Sequence, residues 1–163
     1  MRLRAFLVGV ACVGALACSN HSDPYDFIVL TAHNGNGMAA GPFRSVTVTP
    51  DSVTQVITVS YPCIAQRADA VLLTAQEENA IKRALLEADF LDLTDRAARP
   101  PHIHFDETIY VLELATADGV HRVMTYQVGS GATKGLRRFE RVWNAVVHAA
   151  PPIRDICGPS KNL

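Results

Sequence analysis

The 163-residue sequence has few aromatic residues, little net charge, and no long apolar run after its first twenty residues. Aromatic side chains make up 7% of the chain, and the formal net charge is −1. Without an excess of lysine and arginine, the chain lacks the basic surface typical of nucleic-acid-binding proteins. It also contains no HExxH zinc pair, GxSxG nucleophile turn or GxxxxGK[ST] phosphate loop. We therefore expect no nucleic-acid partner, no cofactor and no enzymatic activity.

The first seventeen residues have the pattern of a bacterial signal peptide. Arg2 and Arg4 precede an uncharged apolar run at 5–17 that ends in small residues. This run is shorter than the roughly 20 residues that a membrane-spanning helix needs, and a polar stretch follows it. We therefore expect residues 1–17 to be removed as a signal peptide, and no permanent membrane span.

The end of this run, Ala15-Leu16-Ala17-Cys18, resembles the bacterial lipobox, in which a cysteine is diacylated before cleavage. The resemblance implies a lipoprotein anchored by palmitate and other acyl chains on Cys18, since two or three chains hold a protein stably on a membrane. The lipobox most often has leucine three residues before the cysteine, and this chain has Ala15 there. The alternative to lipidation is ordinary signal-peptide cleavage after Ala17. Ser19, and not Asp, follows the cysteine, and by resemblance to Gram-negative lipoproteins this implies sorting to the outer membrane.

The mature chain would be a single small domain with an acidic balance. Thirteen lysines and arginines remain against sixteen acidic residues, a formal charge of −3. We expect the lipidated cysteine and a short linker at 18–26, and one globular domain at 27–163.

Two cysteines, Cys63 and Cys157, remain in that domain. A signal peptide implies an oxidising compartment, so we predict a disulfide bond between them. A metal site or a reactive thiol is the alternative for either cysteine.

The hydrophobic pattern predicts an α+β fold. Strands are expected at 27–33, at 43–50, at 54–61 after a turn at Asp51-Ser52, and at 107–116 and 120–128, where Asp118-Gly119 favours a hairpin turn. Thr74 and Glu77 form a capping box before an amphipathic helix at 75–88. A second amphipathic helix begins near Leu136 and ends before the Pro151-Pro152 pair. We expect an antiparallel sheet of about four to five strands with both helices on one face.

The glycine loop at 33–42 is the first candidate binding surface, with Asn34, Gly35, Asn36 and Gly37 as its main residues. Glycines allow a partner to approach the backbone closely, and loops often carry binding. A plain connection between two strands is the alternative.

A second candidate is a metal site at His102, His104 and Asp106. In an extended chain residues two apart point the same way, so both imidazoles and the carboxylate could converge on one ion. The alternative is a solvated polar segment.

A third candidate is the loop at 129–135, before the last helix. It could hold an anion on its amide groups, or it could simply cap that helix.

Four features follow one another along residues 27–149: a strand running into a glycine-rich turn (30–41), the helix segment LTAQEENAIKRALLEADFLDL (73–93), an Asp before a tyrosine-bearing strand (106–114), and a closing amphipathic helix. In this layout the chain resembles the small domain of emfourin-type inhibitors of thermolysin-like metallopeptidases and of related lipoproteins. The resemblance implies the same α+β fold and protease inhibition through residues 33–42. The chain departs from the family in having Asn-Gly-Asn-Gly in place of a Ser-Gly-Gly turn, and in its cysteine pair and lipid anchor.

These patterns favour a membrane-anchored, non-enzymatic binding or accessory module with a protein partner in the cell envelope. Inhibition of a thermolysin-like peptidase is one alternative function. A metal-binding protein or small metal-dependent hydrolase is the other.

Overall fold

The computed structural model describes residues 25–36, 43–60, 64–103, 108–126, 128–153 and 156–157. Six strands form one antiparallel sheet in the order β4-β3-β2-β1-β5-β6. They are β1 (Phe27–Asn36), β2 (Phe43–Val48), β3 (Ser52–Val59), β4 (Ala65–Leu72), β5 (Thr108–Thr116) and β6 (Gly119–Thr125). The predicted α+β class is confirmed, with six strands instead of four or five.

Within the described residues three α-helices complete the fold: α1 (Ala75–Ala88), the short α2 (Asp95–Ala98) and α3 (Lys134–Ala149). A single 3-10 turn, Phe90–Asp92, follows α1. The two long helices pack against each other. Their apolar sides share one core with alternate residues of the strands, among them Leu30, Val48 and Leu114. Among the residues that the structure describes, no helix is long and apolar enough to cross a membrane.

Local signals determine where α1 begins and ends. The Thr74 side chain accepts a hydrogen bond from the Glu77 N–H, and the Glu77 carboxylate accepts one from the Thr74 N–H (2.9 Å), which is the predicted capping box. Asp89 ends the helix in the left-handed conformation (φ 52°), and Arg138 of α3 donates to the carbonyl oxygens of Ala88 and Asp89. Helix α3 therefore stabilises the end of α1 as well as its apolar face.

Strand β4 was not expected from the sequence. Its residues, AQRADAVL, include a single β-branched side chain, so the pattern that marked the other strands is weak here. The strand pairs with β3 from Ser52↔Leu72 to Val59↔Ala65, and β3 carries the β-branched residues of that hairpin. We therefore attribute the formation of β4 to its pairing with β3, because its own sequence has a low propensity for strands.

The folded domain begins earlier than expected. Tyr25, assigned above to the linker, is 6% exposed and belongs to the core cluster. Next to it, the Asp26 carboxylate accepts a hydrogen bond from the Lys82 ammonium group at 2.6 Å. Residues 1–24, including the predicted signal peptide and Cys18, lie outside the described residues.

Candidate functional site

The predicted glycine loop is partly a strand. Strand β1 continues through Asn36, and Gly35 pairs with Ile109 of β5. The Phe43 ring lies beside Gly35, and a Cβ at Gly35 would be 3.8 Å from that ring. The prediction that the loop begins at residue 33 was therefore wrong. His33 and Asn34 pair with strands on both sides, and pairing with β5 continues to Asn36, so the extended backbone is stabilised further than the local sequence indicates. Gly37 lies outside the described residues.

The predicted metal ligands are not tested by the structure. His102 is exposed, whereas His104 and Asp106 lie outside the described residues. No group of three or more His, Cys, Asp or Glu side chains that could hold a metal occurs among the described residues. Cys157 is described and Cys63 is not, so the disulfide bond between them stays a prediction.

The loop before α3 binds an anion that belongs to the chain itself. The Glu140 carboxylate oxygen Oε1 accepts hydrogen bonds from the N–H groups of Gly129 (2.7 Å) and Gly131 (3.0 Å). Both glycines have positive φ (98° and 53°), which turns their amides toward a single acceptor. Thr133 caps α3 by accepting from the Leu136 N–H at 3.0 Å. These amides are therefore already used, and the loop has a structural role.

A different polar cluster is centred on Arg44 of β2. Arg44 lies opposite Asn34 in the sheet, and its backbone N–H donates to the Asn34 side-chain oxygen at 2.6 Å. The Arg44 Nε donates to the Gln55 Oε1 at 2.5 Å, and the Gln55 Nε2 donates to the carbonyl oxygen of Pro151 at 3.0 Å. Gln55 is 1% exposed, so this chain of hydrogen bonds ties the segment after α3 to the sheet.

The sheet places Arg44 on the side that carries the helices. Arg44, Val46 and Val48 alternate along β2, and the two valines are fully buried in the core. Arg44 is only half-buried, because it is the second residue of β2 and borders an open groove beside the last turns of α3. A charged side chain on the core side is an uncommon position that calls for a partner.

The guanidinium of Arg44 has spare hydrogen-bonding capacity. Within the part of the chain that the structure describes, its two Nη groups make no hydrogen bond, and it forms no ion pair with a carboxylate. Burial lowers the pKa of Arg44 from its ordinary value, since no described negative charge offsets the loss of water. The other partly buried arginines differ, since Arg67 pairs with Asp69 and Arg138 with Asp89.

Arg44 borders an open groove of about 670 Å³ between the end of α3 and the segment that follows it. The groove is lined by Arg44, Asn144, Val147, His148, Ala150, Pro151, Pro152 and Ile153. It combines one cation, an amide and an imidazole with an apolar wall of valine, alanine, proline and isoleucine. Such a mixture suits a ligand that has one negative group and an apolar body.

Comparison with protein-family models gives no match, and comparison with curated proteins gives none either. The chemistry of the groove therefore rests on its own geometry.

Sequence reasoning missed Arg44, although a signal was present. In the run Phe43–Val48 the apolar residues Val46 and Val48 mark the buried side of the strand by their alternation. Arg44 falls on that same side, and a charge at a core-facing position indicates either an internal partner or a ligand. The predicted residue Asn34 does contact this cluster, whereas Gly35 does not line the groove.

Proposed function

We propose that the chain is a lipid-anchored, non-enzymatic binding module of the bacterial envelope. In this proposal the groove beside Arg44 binds the free carboxylate at the end of a peptide chain whose last residue is apolar. The observation that carries the proposal is the half-buried Arg44 guanidinium, whose Nη groups have no partner among the described residues.

A carboxylate is the group that best complements Arg44. The planar guanidinium can donate two parallel hydrogen bonds to one carboxylate, and charge-assisted bonds of this kind are among the stronger ones in proteins. The Nε–Gln55 hydrogen bond holds the guanidinium in place, so little side-chain entropy is lost when the ligand binds.

The rest of the groove favours a peptide. Asn144 and His148 provide amide and imidazole groups that can bond to a peptide backbone, whereas an acyl chain offers them no partner. Val147, Pro152 and Ile153 form an apolar surface for the last side chain of the peptide. Ile153 is 62% exposed, so this surface is accessible.

The position of the domain supports the anchoring part of the proposal. Tyr25 is the first described residue and is buried in the core, and it follows Cys18 by seven positions. A fully extended chain of this length spans at most about 25 Å. Lipid on Cys18 would therefore keep the domain close to the membrane. The groove lies at the other end of β1 from Tyr25, since Arg44 pairs with Asn34, so it would face away from the tether toward envelope proteins.

The test is the affinity of the chain from Ser19 onward for acetyl-Ala-Ala-Ala-Leu with a free carboxyl end. The same peptide with an amidated end serves as the uncharged ligand. We expect the free acid to bind at pH 7, and Arg44→Gln to weaken binding about tenfold or more, because a charge-assisted hydrogen bond is lost. Arg44→Lys should retain part of the affinity, since it keeps the positive charge.

Arg122→Gln is the matched control, because Arg122 is exposed on β6 and forms no ion pair with a described residue. Calorimetric unfolding of each variant separates loss of binding from loss of the fold. Equal affinity of the wild-type chain for the acid and the amide would refute the carboxylate site.

A further inference from the structure

The two edges of the sheet differ in how they are covered. At the β6 edge, the Asp95 carboxylate accepts a hydrogen bond from the Met124 N–H (2.7 Å), and Thr125 donates to the Ala98 carbonyl oxygen (2.7 Å). At the opposite edge of the sheet, β4 pairs with β3 on one side, and no described segment pairs with its outer side. An uncovered edge strand can pair with another chain, and proteins normally protect such edges.

The hydrogen-bond pattern of β4 shows which of its groups face outward. The Leu73 N–H donates to the Asp51 carbonyl oxygen at 3.1 Å, and this pair continues the register of Ser52↔Leu72. Odd-numbered residues of β4 therefore bond to β3, because bonded and non-bonded pairs alternate in an antiparallel ladder. The N–H and C=O groups of Gln66, Ala68 and Ala70 point away from the sheet.

The side chains along this edge are small or exposed. Ala68 and Ala70 present only methyl groups on the outer face of the strand, so a second strand can approach closely. Apolar residues stand at both ends, with Ile64 94% and Leu72 82% exposed. Near the middle, Arg67 and Asp69 form an ion pair on the helix side, with N–O distances of 2.7 and 3.1 Å.

The segment Ile64-Ala-Gln-Arg-Ala-Asp-Ala-Val-Leu72 is complementary to itself when one copy is reversed about Ala68. Arg67 then stands opposite the Asp69 of the second copy, and Asp69 opposite its Arg67. Ile64 stands opposite Leu72, and Ala65 opposite Val71. Opposite charges and apolar pairs directly across an antiparallel ladder each stabilise it.

We propose that two copies of this chain pair through β4 as an antiparallel, two-fold symmetric dimer centred on Ala68, which joins the two sheets into one of twelve strands. Ala68 forms a hydrogen-bonded pair with its own counterpart, because its N–H and C=O face outward. Gln66 and Ala70 of the two copies, and likewise Ile64 and Leu72, are also even-numbered residues opposite each other. Their outward N–H and C=O groups can therefore form the same hydrogen bonds. The contact is isologous and closes at two copies.

Neighbouring registers lack this complementarity. Centring the pairing on Gln66 places Arg67 opposite Ala65 and leaves Leu72 without an opposite residue. Centring it on Ala70 places Asp69 opposite Val71 and leaves Ile64 unpaired. Centring it on Arg67 or on Asp69 places two like charges directly opposite each other, which is destabilising. Of these registers, only the one centred on Ala68 brings both charges and both apolar ends together.

The register is tested by disulfide crosslinking of the chain from Ser19 onward, which retains every described element. In the proposed dimer the two Ala68 Cα atoms are about 5.5 Å apart, within the range of a disulfide. Ala68→Cys should therefore form a covalent dimer under mild oxidation, with the 68–68 link identified by mass spectrometry. Gln66→Cys is the matched control, since the two copies of residue 66 would be roughly 13 Å apart.

The affinity is tested by light scattering over a range of concentrations. Ala68→Pro should give a monomer, because it removes an outward N–H that the monomer does not use, and edge strands tolerate proline at such positions. Arg67→Asp should raise the dissociation constant about tenfold, since it creates two repulsive pairs. Adding Asp69→Arg should restore the affinity of the wild-type chain.

The proposal is overturned if the wild-type chain is monomeric throughout the concentration range, or if Gln66→Cys crosslinks as well as Ala68→Cys. A dimer that persists in Ala68→Pro, with an unchanged circular dichroism spectrum, would place the interface elsewhere. None of these measurements depends on the lipid anchor or on the groove at Arg44.

Discussion

At the scale of single residues, most charged groups that the fold draws inward have a partner within the chain. Glu140 accepts from two loop amides, and Arg138 donates to the last carbonyl groups of α1. Arg44 is the exception among the described arginines in partly buried positions, because only its Nε is engaged. This difference is the reason for proposing a ligand site at Arg44 and not at Arg67 or Arg138.

Gly135 provides a sharp test of the packing between α2 and α3. A Cβ at this position would overlap the Ala97 carbonyl oxygen, which is backbone and cannot move aside cheaply. We expect Gly135→Ala to destabilise the domain by about 3 kcal/mol, because overpacking forces a backbone shift. Urea unfolding measures this value.

Lys134→Ala, one residue earlier on the exposed side of α3, is the control for that substitution. It should change the free energy of unfolding by less than about 0.5 kcal/mol, as surface substitutions usually do. If the two variants were equally stable, the close approach of the two helices would not exist in solution.

At the scale of elements, prediction from sequence succeeded where the signal is local. The bounds of α1 were predicted correctly, since Thr74, Glu77 and the apolar stripe at Ile81 and Leu85 all lie within the element. The β5–β6 hairpin was predicted from Asp118-Gly119. Strand β4 and the last residues of β1 were missed, because both depend on pairing with strands elsewhere in the sequence.

The capping box of α1 makes stability depend on pH in a definite direction. Hydrogen bonds from the Thr74 hydroxyl and N–H lower the pKa of Glu77 below its ordinary value of 4.5. A lowered pKa in the folded state means that this contribution is present above pH 4.5 and is lost as the pH falls through the folded-state pKa.

We therefore expect Thr74→Ala to cost about 1 kcal/mol at pH 7, as the loss of a helix cap usually does. The difference from the wild-type chain should shrink in acid. Thermal unfolding at several pH values measures it, with Thr54→Ala, a threonine of β3 far from any helix start, as the control. A difference that stayed constant down to pH 2 would contradict the role of the Glu77 carboxylate.

At the scale of the whole molecule, the fold class was predictable and the candidate groove was not. Periodicity shows that strands and helices each have one apolar side, which is sufficient for the α+β class. The groove forms where β2, α3 and the segment at 150–153 come together in the folded chain. These contacts are tertiary, so no local sequence pattern predicts them. Peptidase inhibition, the metal site at His102, His104 and Asp106, and the disulfide bond between Cys63 and Cys157 stay predictions.

The lipid anchor is also tested at this scale. In bacteria fed labelled palmitate, we expect the wild-type chain to carry the label and to sediment with the membrane fraction. Cys18→Ser should abolish the label and release the domain or leave an uncleaved precursor, because the acylated side chain is gone. Ser22→Ala is the control, because it lies in the expected linker and leaves every cysteine in place, and its chain should be labelled as strongly as the wild type. Equal labelling of Cys18→Ser would contradict anchoring through Cys18.

The central claim, a carboxylate site at Arg44, is tested most directly by the amide NMR spectrum of the chain from Ser19 onward, recorded during titration with acetyl-Ala-Ala-Ala-Leu. We predict that the largest shifts fall on Arg44, Asn144, His148 and Ile153, and that they vanish with the amidated peptide and in Arg44→Gln. Shifts confined to other surfaces, or identical shifts with both peptides, would contradict the account.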